Sequence, residues 1–145
     1  MSDVTLDTSV FAHITKLSAH TLTYRRLLQG TDLVISFQTR PELAAAAYAP
    51  PRQARLEGLL RAIVELPHGH ETSGWYTRGI LQRKVLKRAR RVGGDAGDAD
   101  LWIIASALEY SIPLVSHDAQ QVALGRAMGL SVFTALPAHI SGNPQ

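Results

Sequence analysis

Asp98-Ala99-Asp100-Leu101-Trp102-Ile103-Ile104-Ala105-Ser106-Ala107-Leu108, followed shortly by Ile112-Pro113-Leu114-Val115-Ser116-His117-Asp118, is the stretch that decides the fold. Leu101, Ile104, Ala105 and Leu108 recur at helical spacing, so an amphipathic helix is expected from about Asp98 to Tyr110. Leu114 to Ser116 reads as a strand, with Asp118 two residues past the apolar run. A helix delivering the chain into a short apolar strand is half of a βαβ unit.

The same alternation runs through the rest of the chain. Residues 3–7 read as a first strand that enters a helix at Thr8 or Ser9, either able to cap it, and the stripe Phe11, Ile14, Leu17, Leu22, Leu27 and Leu28 carries helical character toward Gly30, with room for a break. Asp32 to Ser36 is a second strand. Thr39 and Pro41 open an alanine-rich helix that stops before Pro50-Pro51 and is expected to pack closely. A further helical stripe runs from Ala54 to Val64, with a third strand available at Ile63 to Leu66. Thr72 to Arg91 fits a helix, Gly93 to Gly97 a loop, Ala119 to Met128 a last helix closed by Gly129, and Ser131 to Phe133 a last strand. The expected architecture is α/β: a three-layer α/β/α sandwich on a mainly parallel sheet of four to five strands. Residues 1–136 are expected to form a single domain and 137–145 a frayed tail.

Four acids stand where such a fold gathers ligands. Asp7 and Asp118 follow strands, while Glu42 and Asp100 begin helices. In open α/β sheets the crevice lies beyond the carboxyl ends of the strands, where the next helices start. Crowded carboxylates raise one another's pKa, and a divalent cation relieves that conflict. Magnesium and manganese take oxygen ligands and keep several waters, so a few carboxylates suffice. Such an ion can lower the pKa of a coordinated water and steady the departing oxygen in phosphodiester hydrolysis. Any one of these acids alone is an ordinary cap or turn residue; the ordered set carries the signal.

Composition narrows the alternatives. Of the 145 residues 46% are hydrophobic and 19% charged, sufficient for a packed core, and no cysteine is present for a disulfide, a thiolate zinc site or a thiol nucleophile. Without a membrane span or a secretion signal, the expected location is the cytoplasm. Seven of fifteen basic residues (Arg78, Arg83, Lys84, Lys87, Arg88, Arg90, Arg91) fall within fourteen positions, and no acid lies between Glu71 and Asp95. A charge run is usually a solvated helix face; beside an acidic cluster it reads as a contact for a phosphodiester polyanion, made by Arg83, Lys84, Lys87, Arg88, Arg90 and Arg91.

Leu6-Asp7-Thr8-Ser9-Val10-Phe11, Pro41-Glu42-Leu43, Asp100 to Leu108 and Leu114-Val115-Ser116-His117-Asp118 together resemble the PIN domain, and within it the VapC-type toxins. The resemblance implies a magnesium- or manganese-dependent endoribonuclease, with Asp7, Glu42, Asp100 and Asp118 as the catalytic quartet and Asp7, Asp100 and Asp118 nearest the metal. Ser116 matches the family's small hydroxyl residue. Asp98 is a further candidate, favoured less than Asp100 because residues two apart on a helix diverge. Thr8 and Ser9 are candidates for positioning Asp7 or substrate. An aromatic often found shortly after the fourth acid is absent from Ala119-Gln120-Gln121-Val122. The resemblance also implies a homodimer and a small cognate antitoxin that inserts a basic side chain among the acids. Trp75, Tyr76 and Trp102 are read first as core, His117 as a solvent-facing strand end, and His68-Gly69-His70 as surface. Two other classes compete. A receiver-like regulatory domain needs a lysine on a late strand, and none follows Lys87; a non-catalytic nucleic-acid-binding module has no use for the acids.

Overall fold

In the computed structural model residues 3–15, 18–46 and 50–138 are described, the side chains of Arg52 and Arg55 excepted. Five strands, β1 (Asp3–Leu6), β2 (Asp32–Ser36), β3 (Val64–Leu66), β4 (Leu114–Val115) and β5 (Val132–Phe133), form one sheet in the order β3-β2-β1-β4-β5. Every neighbouring pair is parallel. Parallel strands need crossovers, and the helices that supply them cover both faces.

Alternation along the strands sorts the core into two halves. Leu114 and Val115 are adjacent on β4, so their side chains leave the sheet on opposite faces. Leu114 joins Leu101, Ile104, Val122, Leu124 and Val132 on one side. Val115 joins Val4, Leu6, Val10, Tyr24 and Ile35 on the other. The pairings Thr5↔Leu114 and Leu6↔Val115 keep this division across β1. One layer therefore contains α1 (Thr8–Thr15), α2 (Thr21–Leu28), α3 (Thr39–Ala46) and α4 (Pro50–Leu60); the other contains α5 (Thr72–Arg88), α6 (Asp98–Glu109) and α7 (Ala119–Ala127).

Several boundaries differ from the sequence reading. The first helical region is two helices, and Leu17 lies outside the described residues, as do Tyr48 and the tail beyond 138. Asp7, rather than Thr8 or Ser9, caps α1, because its Oδ2 accepts the Ser9 N–H at 3.2 Å. Pro50-Pro51 open α4 instead of preceding it, which suits proline in a first turn where N–H groups have no helical partner. Ala44, Ala45 and Ala46 are exposed, so they contribute backbone propensity to α3 rather than packing.

The basic helix stops at Arg88, three residues early. Arg90 adopts a left-handed φ of 55°, and the Arg91 N–H closes back on the Leu86 carbonyl at 2.9 Å. Helices α6 and α7 end in the same way, through Ser111 (φ 55°) and Gly129 (φ 88°), with Ile112 N–H on Ala107 O and Leu130 N–H on Gly125 O. Helix α5 lies tight on α6 at buried Gly79, where a Cβ would come within 2.4 Å of Leu101 Cδ2. That seating leaves Leu81 and Val85 exposed beside the cations.

Candidate active site

The order of the sheet reverses at β1 and β4, the place where this class of fold opens a crevice. Asp7 directly follows β1, and Ser116-His117-Asp118 directly follow β4. The ladder continues past the strands through Asp7 N–H to Val115 O at 3.0 Å and Ser116 N–H to Phe133 O at 3.1 Å. Residues distant in sequence are thus brought side by side.

Asp7 is almost completely buried. Its Oδ2 accepts Ser9 Oγ at 2.5 Å and Ser9 N–H at 3.2 Å and lies 3.3 Å from Ser116 Oγ. Its Oδ1 is buried and, among the described residues, has no hydrogen-bond partner. Burial pushes this carboxyl above its ordinary range, although the bonds from Ser9 pull the other way. Thr8 turns toward a different acid, donating Oγ1 to Glu42 Oε1 at 2.9 Å. Burial and then the charge of Asp7 also raise Glu42.

Asp100 occupies the first turn of α6, and its Oδ2 accepts the Gly97 N–H at 3.2 Å. Its pKa is pushed up to about 7, first by burial, then by the charges of Asp118, Asp7 and Glu42. The charges of the other three acids therefore all reach Asp100. Asp118 caps α7, its Oδ1 accepting Gln120 N–H at 2.9 Å and Gln121 N–H at 3.2 Å. Among the described residues no group of three or more acidic, imidazole or thiol side chains is already gathered closely enough to hold a metal ion. The donor set nevertheless fits a hard divalent cation: carboxylates that repel one another, one with an unpartnered buried oxygen. Magnesium needs only one or two direct carboxylates and fills its remaining positions with water.

Asp98 does not join this group. Its carboxylate is held by Arg83 Nη1 at 2.9 Å, and the same nitrogen donates to Ala96 O at 2.9 Å, clamping the loop ahead of α6. Lys87 pairs with Asp95 at 3.3 Å. Of the six basic residues singled out, these two are engaged by acids that follow the run, and a groove of about 350 Å³ lies among Arg83, Lys84, Lys87, Gly94, Asp95 and Ala96.

The family-model match is decisive: the PIN domain model matches residues 4–127, spanning both strand-end acids and both helix-start acids. The chain belongs to the PIN domain family. Solved structures agree on the fold of this PIN domain. It is similar to a chain of VapBC-1 from nontypeable Haemophilus influenzae (TM-score 0.69, 23% identity, 91% of this chain and 97% of that one). DNA-bound VapBC from Salmonella typhimurium (TM-score 0.67, 21% identity, 92% and 98%) and VapBC-5 from Mycobacterium tuberculosis (TM-score 0.64, 24% identity, 92% and 98%) are also similar. No curated protein sequence matches the chain.

Two surroundings of the site escaped the sequence reading. Gln121, fully buried, accepts Ser116 Oγ at 2.7 Å and donates Nε2 to Asp100 O at 3.4 Å. Asp118-Ala119-Gln120-Gln121 carries the spacing of a capping box, the signal that could have singled it out. His117 is not solvent-facing. Its ring lies 4.2 Å from that of His13 and 4.5 Å from that of His20, and its Nδ1 meets Tyr24 Oη at 2.5 Å. Burial, then His13 and His20, lower its pKa. Trp102 and Tyr76 are half-buried and stacked at 3.8 Å, while exposed His68 packs against Trp102.

Proposed function

We propose that this PIN domain is a metal-dependent endoribonuclease and the toxin of a toxin–antitoxin pair. The observation that carries the reading is the buried Asp7 Oδ1, without a hydrogen-bond partner among the described residues, beside acids whose charges raise Glu42 and Asp100, a charge arrangement that a divalent cation relieves. Asp7, Asp100 and Asp118 would hold Mg²⁺ or Mn²⁺. When bound, the ion supplies a more acidic water and charge stabilisation at the scissile phosphate.

Each residue of the chain has its own part. Ser9 and Ser116 orient Asp7, and Thr8 orients Glu42 at the rim of the site. Glu42, raised by burial, would be the acid that exchanges a proton with water. Lys84, Arg88, Arg90 and Arg91 would hold the RNA backbone, while Arg83 and Lys87 combine that role with bracing Asp98 and Asp95. The similar structures are named as VapBC, one of them as a toxin–antitoxin system, which supports a cognate antitoxin. That antitoxin would cover the acids with a basic side chain, and the toxin would be a homodimer.

The test is cleavage of structured RNAs by purified protein with Mg²⁺ or Mn²⁺, beside Asp7→Ala and Asp100→Ala. Metal-dependent cleavage lost in both variants is the expected result. Equal cleavage by wild type and variants would place the activity elsewhere, and binding without cleavage would leave a nucleic-acid-binding module.

A further inference from the structure

Gln121 is fully buried and uncharged, yet it touches two separate segments around the acids, at Ser116 and at Asp100. Its Oε1 accepts Ser116 Oγ, which also lies 3.3 Å from Asp7 Oδ2 and accepts the Asp118 N–H at 3.1 Å. The amide Nε2 faces the Asp100 carbonyl oxygen. That oxygen can only accept, so the NH₂ group must point toward it and the carbonyl toward Ser116. Gln121 itself rides on the helix capped by Asp118. One side chain therefore ties the position of Asp118's helix to β1 through Ser116 and Asp7, and to the first turn of α6 through Asp100.

We propose that Gln121 is a positioning residue that sets the mutual spacing of Asp7, Asp100 and Asp118. A helix interior facing this core has no need of an amide for stability: Val122 and Leu124 on the same helix fill the core with apolar volume. An amide is needed where like-charged carboxylates must be held apart at a fixed distance without adding charge. Groups that orient metal ligands in this way affect affinity about 10–100-fold when removed. The inference rests on the nuclease reading for its consequence in catalysis, but not for its consequence in metal binding.

The test uses Gln121→Met, which conserves length and volume while removing both polar contacts, and Ser116→Ala, a smaller change on the same link. Free Mn²⁺ is followed by electron paramagnetic resonance during titration of folded protein, and RNA cleavage is resolved into kcat and KM. Mn²⁺ affinity is expected to fall about 10–100-fold in Gln121→Met, with kcat reduced and KM for RNA nearly unchanged. The double variant is expected to lose little more than either single one, because the two residues form one link. Restoration by Gln121→Asn of part of the Mn²⁺ affinity would mark the amide, rather than packing, as the cause. Wild-type Mn²⁺ affinity in Gln121→Met, or additive losses in the double variant, would overturn the proposal. Mn²⁺ binding by wild type without RNA cleavage would instead overturn the nuclease reading and leave Gln121 to be judged on affinity alone.

Discussion

Ser116 Oγ reaches Asp7 Oδ2 across 109 residues of sequence, while the other oxygen of Asp7 is buried and, among the described residues, accepts no hydrogen bond. Half of this carboxylate is fully engaged by hydroxyl and amide donors and half is held bare. A buried polar atom without a partner costs about 1–3 kcal/mol, more when charged. The site thus carries a cost in the metal-free chain that stabilising interactions elsewhere must offset.

That cost has a definite pH dependence. Asp100 in the folded chain keeps its proton up to about pH 7, whereas in the unfolded chain it ionises in the ordinary carboxylate range. Between about pH 4 and 7 the folded state therefore binds more protons, so stability falls as pH rises. Asp7 and Glu42 are raised as well and act in the same direction. Thermal melts of metal-free protein are expected to show Tm lower at pH 8 than at pH 5. Asp100→Asn should flatten the profile, and Mn²⁺ at pH 8 should raise Tm for wild type far more than for the variant. A wild-type Tm that climbs from pH 5 to 8 would contradict the charge crowding.

Exposed cations and braced cations should behave differently. Replacing Arg88, Arg90 and Arg91 by Gln is expected to weaken RNA binding and reduce the slope of log affinity against log salt by about 2 for single-stranded RNA. Arg83→Gln should instead lower stability by roughly 1 kcal/mol, since Arg83 holds Ala96 and Asp98 ahead of α6. Fluorescence anisotropy over a salt series, with urea unfolding in parallel, separates the two outcomes.

Ser111 ends α6 in the left-handed region that glycine enters freely. Because the residue is exposed, Ser111→Gly should raise stability by about 0.5–1 kcal/mol, read as an increased urea midpoint at unchanged slope. An unchanged or lower midpoint would mean that strain at this cap is negligible.

Gly79 makes the opposite case. A methyl there meets the fully buried Leu101, and overpacking of this kind costs about 1–3 kcal/mol. Gly79→Ala should lower the urea midpoint accordingly. Toleration without loss would show that α5 can lift from α6 freely.

The order of strands and helices, the parallel sheet and the ordered set of four acids were legible from the chain alone, because hydrophobic period and helix-start chemistry are local properties written in consecutive residues. Short-range signals also located the loop before Asp98 and the terminator Gly129. Which side chains share a hydrogen bond was decided only in three dimensions. Asp98 and Asp100 are both candidates in sequence, with Asp100 favoured, and it takes the packing to show that Arg83 holds Asp98 while the charges of the other acids reach Asp100. Gln121 has no role in the sequence reading and becomes a buried link; His117 reads as solvent-facing and packs among His13, His20 and Tyr24. A side chain's partner depends on how β1, β4, α6 and α7 pack against one another. Such contacts join residues tens of positions apart, and no local pattern encodes the distance between them.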